Sequence, residues 1–202
     1  MTFAVLTGDL VRSTDLAQKR LDVAMQSLAD SAEAASDWHG SSLMFSRNRG
    51  DGWQVCLARP SLALRTALYM RAALRTGGKD LSTRISIAIG VGDPGPTGDL
   101  NSASGPVFVE SGRALDAIQT PMMMSFAGGG ALAAAVRLAD HVSQGWTTAQ
   151  ARAIYPMLAP VSVARREVAE ALGISRQAVD QALEAAAYPA LSDALDLIEA
   201  DA

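Results

Sequence analysis

Asp9 and Asp51 carry the first chemical suggestion in this chain. Asp9 follows Gly8 at the end of a short apolar run, and Asp51 lies in the turn Arg49-Gly50-Asp51-Gly52 between two strand-like runs. Two carboxylates that converge beside backbone N–H groups suit a divalent cation such as Mg²⁺ or Mn²⁺, which can in turn hold a nucleotide triphosphate. Gly-Asp pairs are also ordinary turn formers, because glycine reaches unusual backbone angles and aspartate bonds its own backbone. Each pair alone therefore has a structural explanation, and the elements around them decide whether they meet.

Residues 3–7 form an apolar, partly β-branched run that predicts a buried strand ended by Gly8-Asp9. Over residues 15–38 the periodicity turns helical, with Leu16, Met25, Leu28, Ala32 and Ala35 near one face and Ser13 or Thr14 available as N-cap. Two strands over 43–48 and 53–58 read as a hairpin. Pro60 opens a helix to residue 75, and the alternation of Ile85, Ile87, Ile89 and Val91 predicts a strand over 84–91. The order is β-α-β-β-α-β, a ferredoxin-like arrangement. A crossover helix makes the first two strands parallel, so the hairpin and the end of the first strand fall at one edge of the sheet. Asp9 and Asp51 are expected there together.

Residues 92–104 are rich in Gly, Pro, Asp and Ser and read as a long loop before a helix over 105–118. Pro121 is expected to open another helical stretch to residue 141, although Gly128-Gly129-Gly130 inside it has no evident reason. Every segment from Thr147 onward reads as helical, and Gly145-Trp146 divides the chain into residues 1–145 and an all-helical piece, 146–202. The expected fold class is thus α+β followed by a helical domain.

The chain has 202 residues, 49% of them hydrophobic and 19% charged, a composition of compact globular proteins. The net charge of −4 belongs to residues 146–202, which hold four arginines against eight carboxylates. The first residues lack a basic stretch, which predicts no secretory signal, and no apolar run reaches the roughly 18 residues of a membrane span. Cys56, the one cysteine, sits in an alternating run and reads as a strand core thiol. A reducing cytoplasm fits these features. His39 and His141 have no second His or Cys at ligand spacing, and Met122, Met123, Met124 and Trp146 read as core or dimer contacts.

Gly8-Asp9-Leu10-Val11-Arg12-Ser13-Thr14 resembles the first-strand metal motif of class III nucleotidyl cyclases, and Arg49-Gly50-Asp51-Gly52 resembles the hairpin bearing that family's second metal aspartate. Gly105-Pro-Val-Phe-Val-Glu-Ser-Gly-Arg113 matches the spacing of its Gly-x-x-x-Asn-x-x-x-Arg helix start. With a C-terminal helix-turn-helix added, the chain looks closest to the SatD-like proteins, a cyclase-like palm domain followed by a helical one. The resemblance implies metal ligation by Asp9 and Asp51, a catalytic role for Arg113 on the transferring phosphates, and a homodimer in which the two halves of the site come from different subunits. Arg47 stands where many cyclases have a purine-recognising Lys, and Ser102 where adenylyl cyclases have a purine-selecting Asp. Val109 replaces the Asn that orients the ribose. The metal end of the pattern is kept and the base and sugar end is not.

Residues 165–183 carry the other signal. Val168, Ala169 and Leu172 make one apolar face, Gly173 supplies a left-handed turn, Ser175 can cap a second helix, and Val179 with Leu183 closes onto the first. A second helix in this unit would present Ser175, Arg176, Gln177 and Gln181 to base edges, with Arg165 and Arg166 on phosphates. Asp180, Glu184 and the acidic balance stand against DNA and leave an architectural or protein-binding use open. The combined expectation is a DNA-binding transcriptional regulator whose cyclase-like domain senses a nucleotide through a divalent metal. An active nucleotidyl cyclase dimerised by its C-terminal helices, and an inert protein-binding scaffold, are the alternatives.

Overall fold

A computed structural model describes residues 1–48, 50–95, 100–161 and 163–201. Arg49 of the hairpin turn and residues 96–99 of the Gly- and Pro-rich loop lie outside the described residues. The chain is α+β, with a five-stranded mixed sheet and helices on both of its faces. Its elements are β1 (Thr2–Leu10), α1 (Gln18–His39), β2 (Met44–Arg47), β3 (Gly52–Leu57), α2 (Ala63–Thr76), β4 (Thr83–Val91), α3 (Pro106–Asp116), β5 (Met124–Phe126), α4 (Gly130–Gln144), α5 (Thr148–Met157), α6 (Arg165–Leu172), α7 (Arg176–Ala185) and α8 (Tyr188–Ala200). The strands lie in the order β2-β3-β1-β4-β5. Neighbours are antiparallel except β4 and β5, which are parallel.

Alternation along the strands divides the core. Leu6, Val55, Leu57, Ile85 and Ile87 face α1 and α2, while Val5, Cys56 and Ala88 face Leu100 and Val107 on the other side. Cys56 is a buried free thiol, and burial pushes its pKa up to about 11. On the second face Ser111 seats α3: its Oγ lies 2.6 Å from Thr7 Oγ1, and Ser86 donates to its carbonyl at 2.6 Å.

Helix α2 is buried all round from Ala63 to Leu74, because the sheet and the helices α1, α4 and α5 pack around it and α8 reaches its Arg65. Its polar side chains must then find partners inside. Arg65 donates to Glu199 and Asp196 of α8, both at 2.6 Å. Arg71 donates to Asp140 at 2.9 Å and Ser143 at 2.6 Å. Thr66 Oγ1 lies 3.1 Å from Nε2 of buried His39, whose Nδ1 accepts from the Arg59 amide at 3.3 Å. Tyr69 stacks on Tyr155 with ring centroids 4.3 Å apart. Buried apolar residues on both sides of Gly145 therefore form one continuous cluster.

Three local expectations are corrected. Gly8-Asp9 is not a turn, since β1 continues to Leu10. Gly8 is required because the ring of buried Trp53 lies over it, 2.4 Å from where a Cβ would sit. Ser13 and Thr14 do not cap α1 directly: they form a short 3-10 turn, and α1 starts after Ala17 with no side-chain cap. Finally, the stretch from Pro121 is not one helix. Met124–Phe126 extends the sheet beside β4, because Met124 fills the core and the backbone of Met123 is bound on one side by Ile85 N–H and on the other by the Asp140 carboxylate. The glycine triplet is the joint between β5 and α4, where Gly130 takes φ +75°.

Candidate functional site

Antiparallel pairing places Asp9 of β1 opposite Gly52 of β3 on one side and Arg84 of β4 on the other. The Leu10 amide donates to the Asp51 carbonyl at 3.3 Å, so the hairpin turn lies against the end of β1. Both carboxylates therefore line one cleft of about 360 Å³, together with Arg12, Ser13, Thr14 and Arg84. Trp53 Nε1 donates to Thr83 Oγ1 at 3.0 Å, and Thr83 Oγ1 donates to the Asp9 carbonyl at 2.7 Å. The backbone beneath both Asp9 and Arg84 is thus fixed by buried groups.

Arg84 is the residue that strand alternation alone does not reveal. Its Nε donates to Asp9 Oδ1 at 2.8 Å and its Nη2 to Asp9 Oδ2, a fork that meets both carboxylate oxygens. The hydrogen bonds that it donates to Asp9 hold the Arg84 guanidinium above its ordinary pKa; burial opposes this, and the charges of Asp9, Asp116 and Asp51 add to it. Arg12, in left-handed backbone at φ 55°, lines the same cleft and its side chain makes no ion pair among the described residues. A divalent ion needs carboxylate oxygens turned toward it. Both Asp9 oxygens are taken by the Arg84 fork, so a divalent ion on Asp9 would have to displace at least one arm of it.

The other expected ligands are not in the cleft of one chain. Ser111 faces the sheet, so Val109 and Arg113, each about 200° round the helix from it, emerge on the outer side of α3, where both are exposed. Arg47 is paired with Asp22 of α1 at 2.9 Å and donates to the Gly50 carbonyl at 3.3 Å. Ser102 is exposed in the short turn Leu100–Ser102, whose Leu100 amide donates to Ser46 Oγ at 2.9 Å.

In the helical piece, α6 ends at Gly173 with φ +66° and α7 begins after Ser175, whose Oγ accepts from the Ala178 amide at 3.1 Å. Val168, Ala169, Val179 and Leu183 are buried between the helices, and Arg176, Gln177 and Gln181 are exposed along α7. Each arginine of the unit has a carboxylate neighbour: Arg165 meets Asp180 at 2.8 Å, Arg166 meets Glu170 at 3.5 Å, and Arg176 meets Asp180 at 3.9 Å. Trp146 is core, its Nε1 donating to the Ala186 carbonyl at 3.0 Å. Among the described residues no helix is long and apolar enough to cross a membrane. No protein-family model matches the sequence, and no curated protein does.

Proposed function

We propose that the chain is a DNA-binding transcriptional regulator with two working parts: a ferredoxin-like, cyclase-type palm formed by the sheet, which takes a nucleotide at the Asp9–Asp51 cleft, and a helix-turn-helix formed by α6 and α7. The observation that carries the DNA half is the start of α7, where a capped N-terminus, Arg176, Gln177 and Gln181 stand free of the core and suit base edges in a major groove. The nucleotide half is supported by the meeting of Asp9, Asp51, Arg12 and Arg84 in one cleft. In this reading the chain is a homodimer, so that the outer face of α3 with Arg113 completes the cleft of the partner. Mg²⁺ or Mn²⁺ reaches Asp9 only if Arg84 releases it.

Gel shifts at low salt against the DNA upstream of the chain's own coding sequence, with and without ATP or GTP, test both halves. Retention of a specific fragment that changes with nucleotide is expected, and no retention of any fragment sinks the DNA half. The carboxylates beside Arg165, Arg166 and Arg176 favour a second reading, in which the helical unit binds a basic protein surface. A DNA-free interaction that survives Arg176→Ala is its signature.

A further inference from the structure

The Asp9–Arg84 pair is built differently from a casual surface contact. The two residues are directly opposite on adjacent antiparallel strands, and opposed side chains leave a sheet on the same face within contact distance. Their carbonyl side is pinned through Thr83 and buried Trp53. Their charged ends meet fork to carboxylate, with 22% of the Asp9 and 35% of the Arg84 side chain still open to the cleft. Asp51 lines the same space, and it and Asp116 lie close enough to reinforce the arginine's charge. One guanidinium is therefore bound to one carboxylate, with a second lining the same cleft, at the place where a divalent ion would be expected.

We propose that Arg84 is the resident cation of this cleft, a specificity element that keeps divalent metal off Asp9. A metal ion bonds carboxylate oxygen at roughly 2.0–2.6 Å, so a metal on Asp9 must break at least one arm of the fork. It would also bring a double positive charge beside a guanidinium that has no way to lose its proton. The cost falls on the metal, because the arginine is tethered to the strand and is always present. The inference rests on the cleft being a ligand site, but its test needs no nucleotide.

Mn²⁺ uptake by the full chain, followed by the electron paramagnetic resonance of the free ion, compares the natural protein with Arg84→Gln, Arg84→Lys and the double variant Arg84→Gln with Asp9→Asn. Circular dichroism melts establish that each is folded. The natural chain is expected to take up no Mn²⁺ at micromolar concentration. Arg84→Gln, which frees both Asp9 oxygens, should bind at least about tenfold more tightly, in the range by which neighbours of metal ligands move affinity, and the double variant should lose the gain. Arg84→Lys keeps the charge without the fork and should fall between, which serves if Arg84→Gln does not fold. Micromolar binding by the natural chain, or no gain in either single variant, overturns the proposal. Failure to bind ATP or GTP in calorimetry would overturn the nucleotide reading and leave the Mn²⁺ comparison standing.

Discussion

Arginine meets carboxylate in two very different settings in this molecule. Between α2 and α4, Arg71 and Asp140 are 2.9 Å apart with 6% and 0% of their side chains exposed, and Arg71 Nε and Nη2 are buried without a hydrogen-bond partner. In the α6–α7 unit, Arg166 and Arg176 face carboxylates at 3.5 and 3.9 Å while 80% and 72% of their own side chains remain in water. Water screens the second kind so well that such pairs contribute little, whereas the first kind cannot lose one partner without stranding a charge. The buried pair is part of the fold. The exposed pairs are exchangeable, so a phosphate can replace a carboxylate beside Arg166 or Arg176 at small cost.

Removing one member of the buried pair is the strongest way to break this contrast. Asp140→Asn should lower stability by about 3–5 kcal/mol, read from urea melts, because Arg71 would keep its charge and lose its counterion. A loss below about 1 kcal/mol would mean that water reaches the pair and that the two settings do not differ.

His39 supplies a pH-dependent counterpart. Burial first, and the charge of Arg59 second, press its pKa from 6.5 to about 4, so the folded protein holds it neutral. A depressed pKa means that the unfolded chain takes up the proton first, so this stability is complete above about pH 6.5 and is lost as pH falls toward 4. The loss should approach about 3 kcal/mol in chemical denaturation followed across that window, and His39→Gln should flatten the slope. An unchanged slope in the variant would assign the acid sensitivity to other groups.

The exposed setting is sharpened by two smaller effects. Arg176→Ala should weaken a specific DNA complex by about 1–3 kcal/mol in gel shifts, with little change on random DNA beyond one lost charge. Arg166→Ala should alter folding stability by no more than about 0.5 kcal/mol in the same urea melts. A larger fall there would show that the exposed pairs also help to hold the fold.

The sequence carried much of this, and the gaps have physical reasons. Alternation in Ile85, Ile87 and Ile89 and the helical spacing of Met25, Leu28 and Ala32 marked the first sheet and its cover, because each element buries one face only. The spacing around Gly173 and Ser175 located α6 and α7, where the turn glycine and the cap residue are local chemistry. Strand β5 was hidden because three residues cannot show a period, and its pairing depends on Ile85 and Ile87, far away in the chain. Arg84 was visible as a residue of a strand but not as the partner of Asp9, since register is a long-range property and β1 runs past the point where its apolar run stops. Arg113 could be placed on a helix start by spacing, yet only the seating of Ser111 decides which way it points.

Arg65 ties the order of synthesis to the order of folding. It is made 131 residues before Asp196 and 134 before Glu199, the carboxylates that accept its hydrogen bonds. At bacterial or eukaryotic elongation rates of roughly 5–20 residues per second, that interval is on the order of ten seconds. Throughout it the sheet strands can pair and collapse, but the guanidinium on the outer side of α2 has nothing to neutralise it and holds water there. Docking of α8, a closure over most of the chain's length that pays its loop entropy late, is therefore expected to be the last step of folding. A nascent chain stopped before Asp196 should expose α2 to protease, and a chain from which α8 has emerged should resist the same cut.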